Sequence, residues 1–127
     1  MCGITGHINF RGKGSLTENT LQKMNESMFH RGPDSSGFYI DRNYQIAMRR
    51  LSIIDQENGD QPIISDDKQV IIIMNGEIFN YCKLKSMLKE NNCTFKTKSD
   101  TEVLLQMYIK YGIDCLKYIN GMFSFCI

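Results

Sequence analysis

No stretch of about 20 apolar residues occurs in this chain, so none of it reads as a transmembrane helix. The start does not read as a secretory signal either, because Asn9, Arg11, Gly12, Lys13 and Gly14 interrupt any apolar region. No charge of one sign dominates: 15 Lys and Arg face 14 Asp and Glu, interspersed, for a net charge of +1. That balance lacks the electrostatic footprint of a nucleic-acid or membrane-surface binder. There is no C-x-x-C pair, and only His7 and His30 could add ligands, so no zinc site is expected. Cys2, Cys82, Cys93, Cys115 and Cys126 are odd in number and follow no disulfide-framework spacing. Reduced thiols in a cytoplasmic protein are the expectation.

What is present suffices for a core. The 127 residues are 42% hydrophobic, the size of one domain or a piece of one. Residues 2–10 carry β-branched and aromatic side chains and predict a strand, with Gly12 and Gly14 forming the turn after it. Leu16, Leu21, Met24 and Met28 recur at near-helical spacing behind Thr17 or Asn19 as caps, predicting a helix over about 17–29. The breaker-rich string 30–37 predicts a loop, and 38–40 and 45–50 predict two strands joined across Asp41, Arg42 and Asn43. Asn58-Gly59-Asp60 reads as a turn.

The apolar run Val70-Ile71-Ile72-Ile73-Met74 suits a strand buried on both faces. Asn80 is placed to cap a helix holding Tyr81, Leu84, Met87 and Leu88. Ser99-Asp100-Thr101-Glu102 fits a capping box in which Glu102 returns to the Ser99 amide. The helix behind it ends at Gly112, and 122–127 predict a last apolar strand. Strands and helices in this order predict an α+β sandwich with mainly antiparallel sheets. The unpartnered apolar last strand gives the expectation that the sequence stops inside a larger domain.

Several residues carry chemistry. If Met1 is removed, Cys2 lies beside a free α-amine that can serve as its own base. Amine and thiol titrate within about one unit of each other, so proton transfer between them is nearly balanced. Asn75-Gly76 after the apolar run is either a hairpin turn or a donor pair able to hold an oxyanion. Arg50 is either a solvated charge or a fork for a carboxylate. Asp100 is either a helix-start anion or a partner for an ammonium, and Glu77 shares that ambiguity.

Taken together, the ordered segments are more specific. They are Met1-Cys2-Gly3-Ile4, His30-Arg31-Gly32-Pro33-Asp34-Ser35-Ser36-Gly37, Arg50-Leu51-Ser52-Ile53-Ile54-Asp55, Gln61-Pro62, Asn75-Gly76-Glu77-Ile78-Phe79-Asn80-Tyr81, Ser99-Asp100-Thr101-Glu102 and Gly121-Met122-Phe123-Ser124-Phe125. This series resembles the glutaminase domain of class II glutamine amidotransferases, within them the glutamine-hydrolysing asparagine synthetases. The resemblance covers nearly the whole chain. It implies an N-terminal-nucleophile fold, a four-layer αββα sandwich of antiparallel sheets, here without its C-terminal part. It implies Cys2 as nucleophile, the Asn75 side chain and Gly76 N–H as oxyanion donors, and Arg50 as receptor for the glutamine α-carboxylate. Leu51, Ser52, Ile53 and Ile54 would line the pocket, and Glu77 and Asp100 would receive the α-ammonium. His30 to Asp34 would be scaffolding.

The same resemblance implies glutamine as substrate and a synthetase domain, in cis or in trans, that takes the ammonia and makes asparagine from aspartate. For the full-length protein it also leaves room for a homodimer. No cofactor is expected in this segment: ATP and Mg²⁺ would belong to the synthetase domain, and no nucleotide-binding loop occurs here. Two other readings stay open, a non-catalytic fragment acting as an interaction module and an amidase of the same fold acting on a different amide.

Overall fold

The computed structural model describes residues 1–10 and 14–127. Two three-stranded antiparallel sheets face one another, and helices cover both outer faces. The first sheet holds β1 (Gly3–Ile8), β2 (Ser35–Ile40) and β3 (Tyr44–Arg50) in the order β1-β3-β2. The second holds β4 (Ile63–Ile64), β5 (Ile71–Ile78) and β6 (Gly121–Cys126) in the order β4-β5-β6. Helix α1 (Glu18–Glu26) packs on the first sheet, and α2 (Tyr81–Glu90) and α3 (Asp100–Tyr111) cover the second. This is the four-layer αββα arrangement expected from the sequence.

Alternation along β5 builds both cores. Ile72 and Met74 point to α2 and α3, where they join Leu84, Leu88, Val103, Leu104 and Met107. Ile73 points the other way, to Ile46 and Met48 of the first sheet, with Ile71 and Ile4 beside it. Period-2 geometry then carries Asn75 and Glu77 to the inter-sheet side and returns Ile78 to the helix side. The expected doubly buried strand is present, and it runs four residues beyond Met74.

That extension excludes the hairpin-turn reading of Asn75-Gly76. Neither residue sits in a hairpin turn: Asn75 pairs with Ser124 and Gly76 with Phe123 inside the β5–β6 ladder. Gly76 has φ +152°, and a Cβ there would meet the Met122 carbonyl oxygen at 2.2 Å, so β6 can approach only because the side chain is missing.

Other boundaries moved for identifiable reasons. The string 30–37 is not all loop, because Ser35, Ser36 and Gly37 pair with Arg50, Arg49 and Met48. Turn-forming residues mask a strand whose register is set by β3. Strand β4 is only two residues long and carries no periodic signal. Asn80 stands at the N-cap of α2 but makes no side-chain cap bond. Instead its amide donates to the Tyr118 carbonyl and accepts from Asn120 N–H, tying α2 to the approach of β6. Gly112, at φ +57°, ends α3 as expected, with a 3₁₀ turn, Gly112–Lys117, after it. Gly14 has the positive φ, +79°, of a turn glycine, while Gly12 lies outside the described residues.

The capping box is only half present. Ser99 Oγ accepts from Glu102 N–H at 3.2 Å, as expected. Glu102 does not return to the Ser99 amide. Its buried carboxylate accepts from Lys96 N–H (2.8 Å), Thr97 N–H (2.7 Å) and Thr97 Oγ (2.6 Å). It therefore shapes the whole approach to α3. Glu102→Ala should cost about 3 kcal/mol or more of unfolding free energy, since charge-assisted bonds vanish and two backbone N–H groups lose their acceptor. Urea unfolding of the two chains measures this, and a difference under about 0.5 kcal/mol would show the carboxylate to be dispensable.

Candidate active site

Cys2 is held at the mouth of the inter-sheet space by residues distant in sequence. Its Sγ accepts from Leu51 N–H at 3.3 Å and lies 3.7 Å from the Leu51 carbonyl, 49 positions along the chain. The Arg31 Nε–H donates to the Cys2 carbonyl at 3.0 Å. The half-buried side chain rests on Ile46, Met48 and Ile73. The other thiols have different surroundings. Burial pushes those of Cys115 and Cys126 above the ordinary thiol range, which disfavours their thiolates.

Beside Cys2 lies a cavity of about 280 Å³. Its walls include Cys2, Arg50, Leu51, Ile53, Ile54, Asn75, Gly76, Glu77 and Asp100, nine of the ten residues singled out from the sequence. Ser52 is the exception. Its N–H points to Asp34 Oδ2 at 2.7 Å, bracing the wall from behind. Met1 also lines the cavity, next to Cys2. With Met1 in place the Cys2 nitrogen is a peptide nitrogen, not an amine.

Arg50 ends β3, and its side chain is 4% exposed. Its guanidinium organises the segment just beyond the strand: Nη2 donates to the Ile54 and Asp55 carbonyls at 3.0 and 2.7 Å. Nη1 donates to the Gln56 carbonyl at 3.4 Å and pairs with Asp60 Oδ1 at 3.0 Å. A solvated charge is thereby excluded.

Asn75 and Glu77 reach the cavity from β5. The Asn75 Oδ1 is buried and has no hydrogen-bond partner among the described residues. Turning the carboxamide would exchange that oxygen for the Nδ2 donor. Asp100, at the first turn of α3, accepts from Ile78 N–H at 2.9 Å. Burial raises its carboxyl above the ordinary aspartate value of 3.8, and nearby Glu77 adds to that. Two carboxylates converging in a partly desolvated place make a seat for a cation.

Three residues of the ordered segments, given no chemical step by the sequence, support the site. Gln61 is buried and bridges layers, accepting from Met74 N–H at 2.6 Å and donating to Thr101 Oγ at 3.1 Å. Asp55 adopts φ +50° and accepts from Lys98 N–H at 2.7 Å, a bond that lowers its carboxyl from the usual value. It clips the Arg50 loop to the approach of α3. Arg31 stood in the string read as scaffolding, and its grip on Cys2 fits that description. His30 is exposed.

Comparison with known proteins identifies the family. The profile of the glutamine amidotransferase domain matches residues 1–127. The chain belongs to that family. It is 43% identical to asparagine synthetase [glutamine-hydrolyzing] 1 of Bacillus subtilis, over all of this chain and 20% of that protein. It is 42% identical to the putative asparagine synthetase [glutamine-hydrolyzing] 2 of Methanocaldococcus jannaschii, over all of this chain and 27% of that protein. With asparagine synthetase [glutamine-hydrolyzing] 1 of Arabidopsis thaliana it shares 36% identity, over all of this chain and 21% of the relative. The chain thus spans roughly a fifth to a quarter of the length of these relatives. A solved structure described as the allosteric regulatory enzyme of purine biosynthesis shares the fold, with a TM-score of 0.58 and 20% identity, over 98% of this chain and 28% of that one. Among the described residues no helix is long and apolar enough to cross a membrane.

The raised Asp100 carboxyl has a stability consequence. A folded-state value above the unfolded one means its stabilising contribution is full below about pH 3.8 and is lost as pH rises through the folded value. Asp100→Asn removes that loss while keeping an acceptor for Ile78 N–H. At pH 7 the variant should be at least as stable as the parent, with its relative advantage shrinking towards pH 4. Thermal unfolding at both pH values measures this. An equal loss of stability at both would mean that Asp100 acts only as a helix-start anion.

Proposed function

We propose that this domain hydrolyses the side-chain amide of glutamine to glutamate and ammonia, with Cys2 as nucleophile. One observation carries the reading: a thiol, a fork-shaped cation, an amide donor and two carboxylates, scattered from Cys2 to Asp100, meet around one cavity. Family membership supports it, and the charges match a free amino acid better than a generic amide. Arg50 faces the α-carboxylate, and Glu77 with Asp100 faces the α-ammonium. Clamping both ends of the amino-acid group presents the amide carbon to sulfur in one pose.

The chemistry requires that Met1 be gone. The Cys2 thiol then passes its proton to its own α-amine, and the thiolate adds to the amide carbon. Negative charge gathers on the former carbonyl oxygen, where the Asn75 Nδ2 and the Gly76 N–H stabilise it. The protonated α-amine gives its proton to the departing nitrogen, the C–N bond breaks and ammonia leaves. Water then attacks the γ-glutamyl thioester, releasing glutamate and restoring the thiol. No metal or organic cofactor enters these steps. An ammonium docking on Asp100 also relieves the cost of holding that carboxylate ionised, so binding and protonation are coupled.

The names of the relatives suggest a destination for the ammonia. It would pass to an ATP- and Mg²⁺-dependent synthetase domain, in cis or in trans, for transfer to aspartate. A cytoplasmic setting with reduced thiols suits a catalytic cysteine.

An electrophilic glutamine analogue should label Cys2 of the Met1-free chain, as read by peptide mass mapping. Label on Cys82, Cys93, Cys115 or Cys126 would overturn the assignment. Asn75→Ala should lower kcat by ~10²-fold with little change in KM, the signature of a lost oxyanion donor. A variant with unchanged kcat would reduce Asn75 to a strand residue.

A further inference from the structure

The proposed carboxylate receptor is already engaged. Arg50 has two N–H groups on each Nη, and all four are directed at acceptors of the loop after β3. Three acceptors are backbone carbonyls, those of Ile54, Asp55 and Gln56. The fourth is a carboxylate, Asp60 Oδ1, at 3.0 Å. A substrate carboxylate that uses an Nη donor must therefore displace something.

The four partners are not equally easy to displace. The Ile54 and Asp55 carbonyls belong to a segment anchored elsewhere, since the Asp55 carboxylate holds Lys98 N–H across to the approach of α3. Asp60 is different. Its side chain is 70% exposed, against 4% for Arg50, and its other contact is the Ser35 hydroxyl at 2.9 Å. Released from Arg50 it regains water at little cost. It also carries the chemical group that the substrate brings.

We propose that Asp60 is a built-in competitor for the glutamine α-carboxylate, an affinity-setting residue that the substrate displaces from Arg50. The inference rests on the reading of Arg50 as the carboxylate clamp. In the free protein Asp60 keeps the buried guanidinium compensated and the loop from Ile54 to Asp60 closed around it. On binding, one carboxylate replaces another, so the cation is never left buried alone, which would be the costly state. The exchange keeps glutamine binding weaker than an unopposed Arg50 would make it. Because the product retains the same α-carboxylate, the exchange equally weakens its hold and favours release.

Equilibrium binding separates this from a merely structural role. Calorimetry on the Cys2→Ala chain, which binds without turnover, would use glutamine and glutamine α-amide, in which a neutral carboxamide replaces the α-carboxylate. Asp60→Asn should tighten glutamine about two- to five-fold, the scale of a solvent-exposed ion pair, and leave the α-amide unchanged. The gain should shrink at high salt. Asp60→Ser, smaller and also neutral, should behave in the same way. Asp60 variants that weaken both ligands alike, or leave glutamine unchanged, would overturn the proposal and leave Asp60 a loop support. Separately, if Arg50→Met leaves the preference for glutamine over its α-amide intact, the clamp reading fails, and this inference fails with it.

Discussion

The alternation of β5 is the constraint on which the rest depends. A strand buried on both faces has no solvent side, so each residue along it must satisfy one of two cores. Ile72 and Met74 serve the helical layer, and Ile73 serves the sheet interface. The same period delivers Asn75 and Glu77 to the gap between the sheets without any special turn. A slip of one residue would bury both polar side chains against α2 and α3 and drive Ile72 and Met74 into the gap. Packing and polar chemistry are therefore fixed by one register, and Gly76 secures it by letting β6 approach.

Around that strand, the cavity walls are held by polar side chains used as rivets. Gln61 joins β5 to α3, Asp55 joins the Arg50 loop to the approach of α3, and Asp34 holds Ser52. Each accepts a backbone N–H, and each belongs to irregular chain rather than to a core strand or helix. Loops shaped in this way position groups well with little apolar area of their own. Asp100 shows the opposite balance: its carboxylate is disfavoured by its surroundings, an arrangement that fits ligand recognition better than stability.

Much of this was legible in the sequence, and the failures share a cause. The long periodic elements, α3 and the core of β5, announced themselves through apolar spacing. Of the residues singled out as chemical, nine line one cavity, because the resemblance fixed their identity while periodicity placed the elements that carry them. What stayed hidden depends on partners remote in sequence. Ser35 to Gly37 read as loop because their strand exists only through pairing with β3. Local propensity makes Glu102 and Asn80 caps of their own helices, yet both serve residues outside them, a choice that propensity does not encode. The bonds of Arg31 and Gln61, and the contact of Asp60 with Arg50, are hidden for the same reason.

The grip on Cys2 has a consequence for the order of events during synthesis. The contacts that fix its sulfur and its carbonyl come from Leu51 and Arg31, 49 and 29 positions downstream. The far wall is completed only when β6, which supplies Met122, Phe123 and Ser124, has left the ribosome. Met1 and Cys2 are therefore made long before the cavity that they line can form. While nascent, the thiol is an ordinary cysteine on an open tether, with no clamp to bring an amide to it. Under the proposed mechanism, topology therefore keeps the thiol apart from its substrate clamps until long after the terminus has emerged.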